Sequence, residues 1–179
     1  MFLFRWPTGR CALHVGDFRA DPEMELLPEL NFKPIDTIYL DTTYCDKDYN
    51  FPPQKEVVAY VGRLVRKYAD LYPSLLVVCG SYTIGKEKVF MAAAQELDCQ
   101  VWAPTEKRSI LNCIQDPIIT ERLVTDPRLA RVHVVNMADV KPGNLKKYLQ
   151  TLGSSFSHVL ALNPTGWEFD QRTGILSIL

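Results

Sequence analysis

The chain has 179 residues, 47% of them hydrophobic, and a formal net charge of −1. That is enough apolar material for the core of one to one-and-a-half domains, so general disorder is excluded. A balance this close to neutral exerts no global pull on a polyanion, and any nucleic-acid contact must come from local patches.

Residues 2–6 and 10–14 flank Pro7-Thr8-Gly9 and read as a β-hairpin. The first of these strands is apolar, and an apolar strand left at a sheet edge invites association. Residues 21–34 are acidic and punctuated by proline, which predicts a loop or short helix crossing to the next strand. Residues 37–40 form that strand and deliver Asp41, with Thr42 and Thr43 placed to hydrogen-bond its carboxylate or the following turn. His14, followed by a Gly16-Asp17 turn, and Asp41 therefore both fall at strand ends. They are a nitrogen and an oxygen donor suited to Zn²⁺ or a similar divalent ion, two short of a full zinc shell. The plain alternative is a core histidine and a turn aspartate.

A second region opens near Asp46, where a polar run leads to Pro52-Pro53. A long amphipathic helix is predicted over Gln54–Leu71, with Val57, Val58, Val61, Leu64, Val65 and Tyr68 on one face. Its other face carries Lys55, Glu56, Arg63, Arg66 and Lys67, either a solvated surface or a contact to a DNA backbone. Leu75 to Cys79 is a continuous apolar run, as in strands buried on both faces.

The segment from Gly80 to Glu87, Gly-Ser-Tyr-Thr-Ile-Gly-Lys-Glu, nearly satisfies the phosphate-loop pattern, but Glu87 stands where a magnesium-binding hydroxyl is required. A glycine-rich strand-to-helix turn can still hold a single phosphate through its N–H groups, with Lys86 beside them. Gly80 and Gly85 shaping a turn is the alternative. A helix over residues 87–97, a short strand at 100–103, a helix over 105–113 capped by Thr105, and a helix or turn over 117–124 follow. His133 and His158 sit in apolar strands and read as structural. Residues 163–167, Asn-Pro-Thr-Gly-Trp, close the last strand at the same sheet end as Gly80 if the strands are parallel, and ligands of open α/β sheets gather at that edge. The five cysteines form no C-x-x-C pair, a pattern expected of a reducing compartment. No apolar run reaches membrane-spanning length, so a soluble chain with no membrane partner is expected.

The strings L-H-V-G-D-F-R-A-D-P and Y-L-D-T-T-Y-C, in this order and separation, resemble the third and fourth motifs of the metallo-β-lactamase/β-CASP nucleases of DNA cross-link repair, the family that includes Artemis and Apollo. V-V-C-G-S-Y-T-I-G-K-E-K-V-F and N-P-T-G-W extend the resemblance, most closely to the cross-link-repair exonuclease member, from about Phe2 to about Trp167. The resemblance implies an α/β fold: a partial metallo-β-lactamase-like sheet over residues 1–48, then a β-CASP-type domain with a mostly parallel sheet over 49–167, and the start of a return segment over 168–179. It implies that His14 and Asp41 are metal ligands, Asp41 bridging two metal positions and serving catalysis, with Asp17 behind them. Ser81, Tyr82, Lys86 and Thr165 are candidates for phosphate or DNA contact.

By the same resemblance, the implied activity is 5′-to-3′ exonuclease action in interstrand cross-link and double-strand break repair. One or two divalent ions, Zn²⁺ or another, would serve it, with DNA carrying 5′ ends, damage or cross-links as partner and the nucleus as setting. The family's His-x-His-x-Asp-His motif is not in this sequence, whose only histidines are His14, His133 and His158. The chain is therefore expected to be an internal piece, catalytically incomplete, with most metal ligands elsewhere. The alternatives are a non-catalytic α/β module binding DNA or protein, and a nucleotide-binding enzyme using the Gly80-to-Lys86 loop.

Overall fold

The computed structural model describes residues 1–18, 20–31 and 33–166. The chain divides into two compact units, Met1–Tyr49 and a second beginning at Asn50. Trp167 and the segment 168–179 lie outside the described residues.

In the first unit β1 (Phe2–Arg5) and β2 (Cys11–His14) form the expected antiparallel hairpin, Phe2 opposite His14. Gly9, at φ +87°, makes the reversal that a residue with a side chain would resist. β3 (Thr37–Tyr39) adds in parallel on the far side of β2, giving the order β1-β2-β3. A parallel neighbour needs a crossover, supplied here by a 3₁₀ turn at Pro22–Leu26 and the single-turn helix α1 (Pro28–Asn31). Asp21 caps that turn by accepting the Glu23 N–H, and the Asp36 carboxylate accepts the Cys11 N–H at 2.7 Å, fixing where β3 begins. Central β2 is buried through Cys11, Ala12 and Leu13, whereas Phe2, Phe4 and Trp6 on the edge strand are exposed, their rings a little over 6 Å from one another in sequence order (6.4 and 6.3 Å).

The second unit starts with α2 (Gln54–Leu71), which buries Val61, Gly62 and Val65 on its apolar stripe and ends at Tyr72, ahead of Pro73. β4 (Leu75–Ser81) is buried at every position. The chain continues through α3 (Glu87–Glu96), β5 (Val101–Trp102), α4 (Thr105–Cys113), α5 (Pro117–Thr120), β6 (Leu123–Val124), β7 (Val132–Asn136), α6 (Pro142–Thr151) and β8 (His158–Leu162). The sheet runs β6-β5-β7-β4-β8, every pairing parallel, so the architecture is α/β as expected. Leu75, Val77 and Cys79 pack with Val65, Phe90 and Leu111 on one face, and Leu76 and Val78 with Val140, Leu145 and Phe156 on the other. This two-sided burial is why β4 reads as an unbroken apolar run.

Two local expectations need correction. Pro104, not Thr105, occupies the position before α4, and no side chain caps that end. Residues 117–124 are not one helix or turn but α5 followed by strand β6, each too short to show a period. All five cysteines are free; Cys11 and Cys79 are buried, Cys99 half-buried, and Cys45 and Cys113 exposed. Burial pushes the Cys79 thiol up to about 12. Among the described residues no helix is long and apolar enough to cross a membrane.

Candidate metal and DNA-binding site

The first unit sets out the expected metal donors. In the parallel β2–β3 ladder His14 lies opposite Tyr39, two residues before Asp41, so both donors sit at the carboxyl ends of neighbouring strands. The exposed His14 ring stacks on Tyr39, centroids 5.7 Å apart and planes 19° from parallel. Its Nδ1 accepts the Gly16 N–H at 3.2 Å, which Gly16 reaches at φ +63°. That bond assigns the proton of the neutral ring to Nε2. A neutral imidazole ligates through its unprotonated nitrogen, so a metal at Nδ1 would displace the Gly16 N–H directly and one at Nε2 would do so by moving the ring proton to Nδ1; binding here would be linked to the turn.

Asp41 is held from two sides. Its Oδ1 accepts the Thr43 hydroxyl at 2.6 Å and the Thr43 N–H at 3.0 Å. These bonds, with a further one from the Phe18 backbone N–H, hold the carboxyl below its ordinary range, slightly opposed by desolvation. Thr43 does what the sequence suggested, whereas Thr42 uses its carbonyl to accept the Cys45 N–H. Asp17 is exposed in the turn between His14 and Phe18. The donor chemistry fits a divalent ion, one borderline nitrogen and one ionised oxygen, but among the described residues no group of three or more His, Cys, Asp or Glu is assembled around a common point.

In the second unit the candidate DNA contacts gather at the carboxyl edge of the parallel sheet. Ser81 ends β4 opposite Asn136 of β7, and Thr165 follows β8, the strand on the other side of β4. From β4 the chain winds towards β5, and from neighbouring β7 it winds the other way to β8, so the direction of winding reverses between β4 and β7. Ligands of open α/β sheets bind at such a reversal. Here part of the space is filled by the chain itself: a Cβ on Gly80 would lie 2.9 Å from Met137 Sδ and 2.9 Å from Val140 Cγ2.

The loop after Ser81 is wired differently from a nucleotide cradle. The Glu87 carboxylate accepts the Gly85 N–H at 3.0 Å, taking a donor that a phosphate would use. The Tyr82 and Thr83 carbonyls turn inward onto the buried ammonium of Lys107, at 3.1 Å each, and Lys107 also pairs with Glu87 at 3.0 Å. A phosphate cradle has the opposite polarity, with N–H groups facing in. Tyr82 and Ile84 face outward, and the Lys86 ammonium stands 5.9 Å from the Tyr82 ring centroid. Lys107 was not singled out from the sequence, because nothing local marks a lysine twenty residues downstream as the partner of this loop. The one signal was Glu87 in a position where a hydroxyl was required.

The remaining histidines are accounted for. His133 is fully buried, its Nδ1 2.8 Å from the Tyr148 hydroxyl and its Nε2 2.8 Å from the Pro127 carbonyl. Exposed His158 stacks on Tyr72 with centroids 4.2 Å apart.

Similarity to known proteins extends over almost the whole chain. Residues 117–177 match the family described as DNA repair metallo-beta-lactamase. The chain is 41% identical over 174 residues to the DNA cross-link repair 1A protein of Homo sapiens, covering 96% of this chain and 16% of that protein. It is 37% identical over 171 residues to the DNA cross-link repair protein SNM1 of Arabidopsis thaliana, covering 96% of this chain and 35% of that one. Against the 5′ exonuclease Apollo of Danio rerio the identity is 31% over 166 residues, covering 92% of this chain and 27% of the relative. The chain is thus similar over almost its whole length to proteins of DNA cross-link repair, and its residues 117–177 match the DNA repair metallo-beta-lactamase family. It spans only part of these relatives, 16% and 35% of the two cross-link repair proteins just named.

Proposed function

We propose that this chain is part of a metal-dependent 5′-to-3′ DNA exonuclease of interstrand cross-link and double-strand break repair, working in the nucleus. In this reading residues 1–48 belong to the metallo-β-lactamase-like core and 49–167 to the β-CASP-like domain. His14 and Asp41 are two of the ligands of one or two divalent ions, Zn²⁺ or another, whose other ligands come from outside this chain. The observation that carries it is the register of β2 and β3, with His14 opposite Tyr39 and Asp41 just beyond. The match to relatives named for DNA cross-link repair and 5′ exonuclease activity supports the reaction class.

A bound metal would supply Lewis-acid stabilisation and an activated water, the two requirements of phosphodiester hydrolysis. The chain's own residues prepare for it. Thr43 and the Phe18 amide keep Asp41 ionised and aimed, and Tyr39 fixes the His14 ring plane. Asp17 supports the ligands from the turn between His14 and Phe18, and Tyr82, Lys86 and Thr165 contact the DNA strand at or near its 5′ phosphate; Ser81, expected there from the sequence, is instead buried, its hydroxyl 3.0 Å from the Tyr82 and Gly85 carbonyls.

The test is Asp41→Ala and His14→Ala in the full-length protein containing this chain, assayed on 5′-phosphorylated DNA. Loss of cleavage by at least about a hundredfold, with circular dichroism unchanged, supports the assignment, since even residues behind metal ligands are worth 10–100-fold. Near-normal rates would sink it and favour a non-catalytic binding module. The chain by itself is expected to show no cleavage.

A further inference from the structure

Lys107 is among the most buried charged side chains described, 9% exposed, and the metal chemistry does not use it. Its ammonium has three donors and three acceptors: the Tyr82 carbonyl, the Thr83 carbonyl and Glu87 Oε1. Glu87 Oε1 in turn accepts the Gly85 N–H. Ser81 Oγ lies 3.0 Å from both the Tyr82 and Gly85 carbonyls, closing the loop from its other end. Gly85 at φ +99° and Lys86 at φ 70° are successive left-handed residues that turn the chain into α3. The same loop carries the Tyr82 and Ile84 side chains on its outside, 57% and 72% exposed. The ion pair of Lys107 with Glu87 thus anchors from within the loop that displays them.

We propose that Lys107, together with Glu87, is a positioning residue for DNA binding: its buried ammonium gathers the Tyr82 and Thr83 carbonyls and so holds Tyr82 and Lys86 in the orientation that meets a single DNA strand. An exposed aromatic beside a cation suits base stacking and phosphate attraction on single strands, which is sequence-tolerant chemistry. This rests on the proposed DNA-nuclease reading. Lys107 itself touches no DNA, and its effect passes through the loop.

The experiment measures binding of a fluorescein-labelled single-stranded oligonucleotide with a 5′ phosphate to the full chain, by anisotropy. The variants are Lys107→Met, Lys107→Arg, Glu87→Gln, Tyr82→Ala, and Lys107→Met combined with Tyr82→Ala. The expected result is a loss of about tenfold for Lys107→Met and Tyr82→Ala, with no further loss in the combination, because both remove one displayed surface. Lys107→Arg recovers part of the loss by keeping the charge, and hydrogen exchange of the Gly85 amide quickens in Lys107→Met and Glu87→Gln. A merely structural lysine would lower the melting temperature without this non-additivity. Equal affinity of the wild type and of folded Lys107→Met overturns the inference, as does full additivity. If Lys107→Met does not fold, Glu87→Gln decides: wild-type affinity together with faster Gly85 exchange overturns it. A wild-type chain that binds no DNA overturns the DNA role of the loop itself, and the inference with it, whereas the metal assignment of Asp41 is judged separately by cleavage.

Discussion

His14 lies directly across the parallel β2–β3 ladder from Tyr39, the two rings stacked 5.7 Å apart. The stack gives an exposed ring one preferred plane, and Gly16 then settles which nitrogen carries the proton. Replacing Tyr39 by Ser removes the plane but leaves the backbone register. We expect a stability loss of about 0.2–1 kcal/mol, the usual range for a cross-strand pair. On the proposed assignment of His14, retention of the divalent metal by the full-length protein, read from its release to a chelator, should fall about tenfold. Unchanged release would show that the stack does not orient a ligand.

Thr43 is the nearest support of Asp41. Thr43→Val keeps the backbone N–H and the side-chain shape but deletes the 2.6 Å hydroxyl bond. The prediction is a metal affinity lower by about 10–100-fold, with thermal unfolding little changed because the site is exposed. An affinity equal to wild type would mean that the carboxylate needs no such guide.

Gly80→Ala tests how the sheet edge is filled. The added methyl meets Met137 Sδ and Val140 Cγ2 at 2.9 Å, closer than carbon contacts tolerate, with the Met137 Cα behind them at 3.4 Å. Overpacking of this kind costs about 1–3 kcal/mol. A melting temperature several degrees lower is expected, whereas an unaltered one would show that the Met137–Asp139 turn moves aside at no cost.

His133 provides a pH dependence. Burial lowers its pKa from the ordinary 6.5, while the Pro127 and Ala130 carbonyls partly oppose the shift. A histidine depressed in the folded state binds fewer protons there than in the unfolded chain, so stability rises with pH across this window. The contribution is intact above about pH 6.5 and is lost as pH falls below it. Urea midpoints should therefore drop between pH 7.5 and pH 5.5, and His133→Gln should flatten that drop; parallel curves for the two proteins would count against it.

What the sequence disclosed and what it concealed divide along the range of the interactions. The helix Gln54–Leu71 was legible because its apolar period and its flanking prolines are local, and β4 because burial on both faces leaves an unbroken apolar run. The strand-end placement of His14 and Asp41 was legible, since Gly16 and Thr43 act within two residues of them. β6 was not, because two residues cannot show alternation. Nor was the inner wiring of the glycine-rich loop, where glycine spacing suggested inward amides and the ammonium of Lys107 selects inward carbonyls instead. Gly80 likewise looked like a turn residue, whereas its lack of a side chain makes room for Met137 and Val140, which lie almost sixty residues further on.

The thiol inventory offers an experimental handle of its own. The two exposed cysteines fall one in each unit, Cys45 in the first and Cys113 in the second, while Cys11 and Cys79 are buried and Cys99 is half-buried, its thiol pushed upward by burial. Brief labelling at neutral pH would thus attach one dye to each unit of the natural chain with no engineered sites, and the protection of each thiol from the dye would report on its own unit as DNA is added.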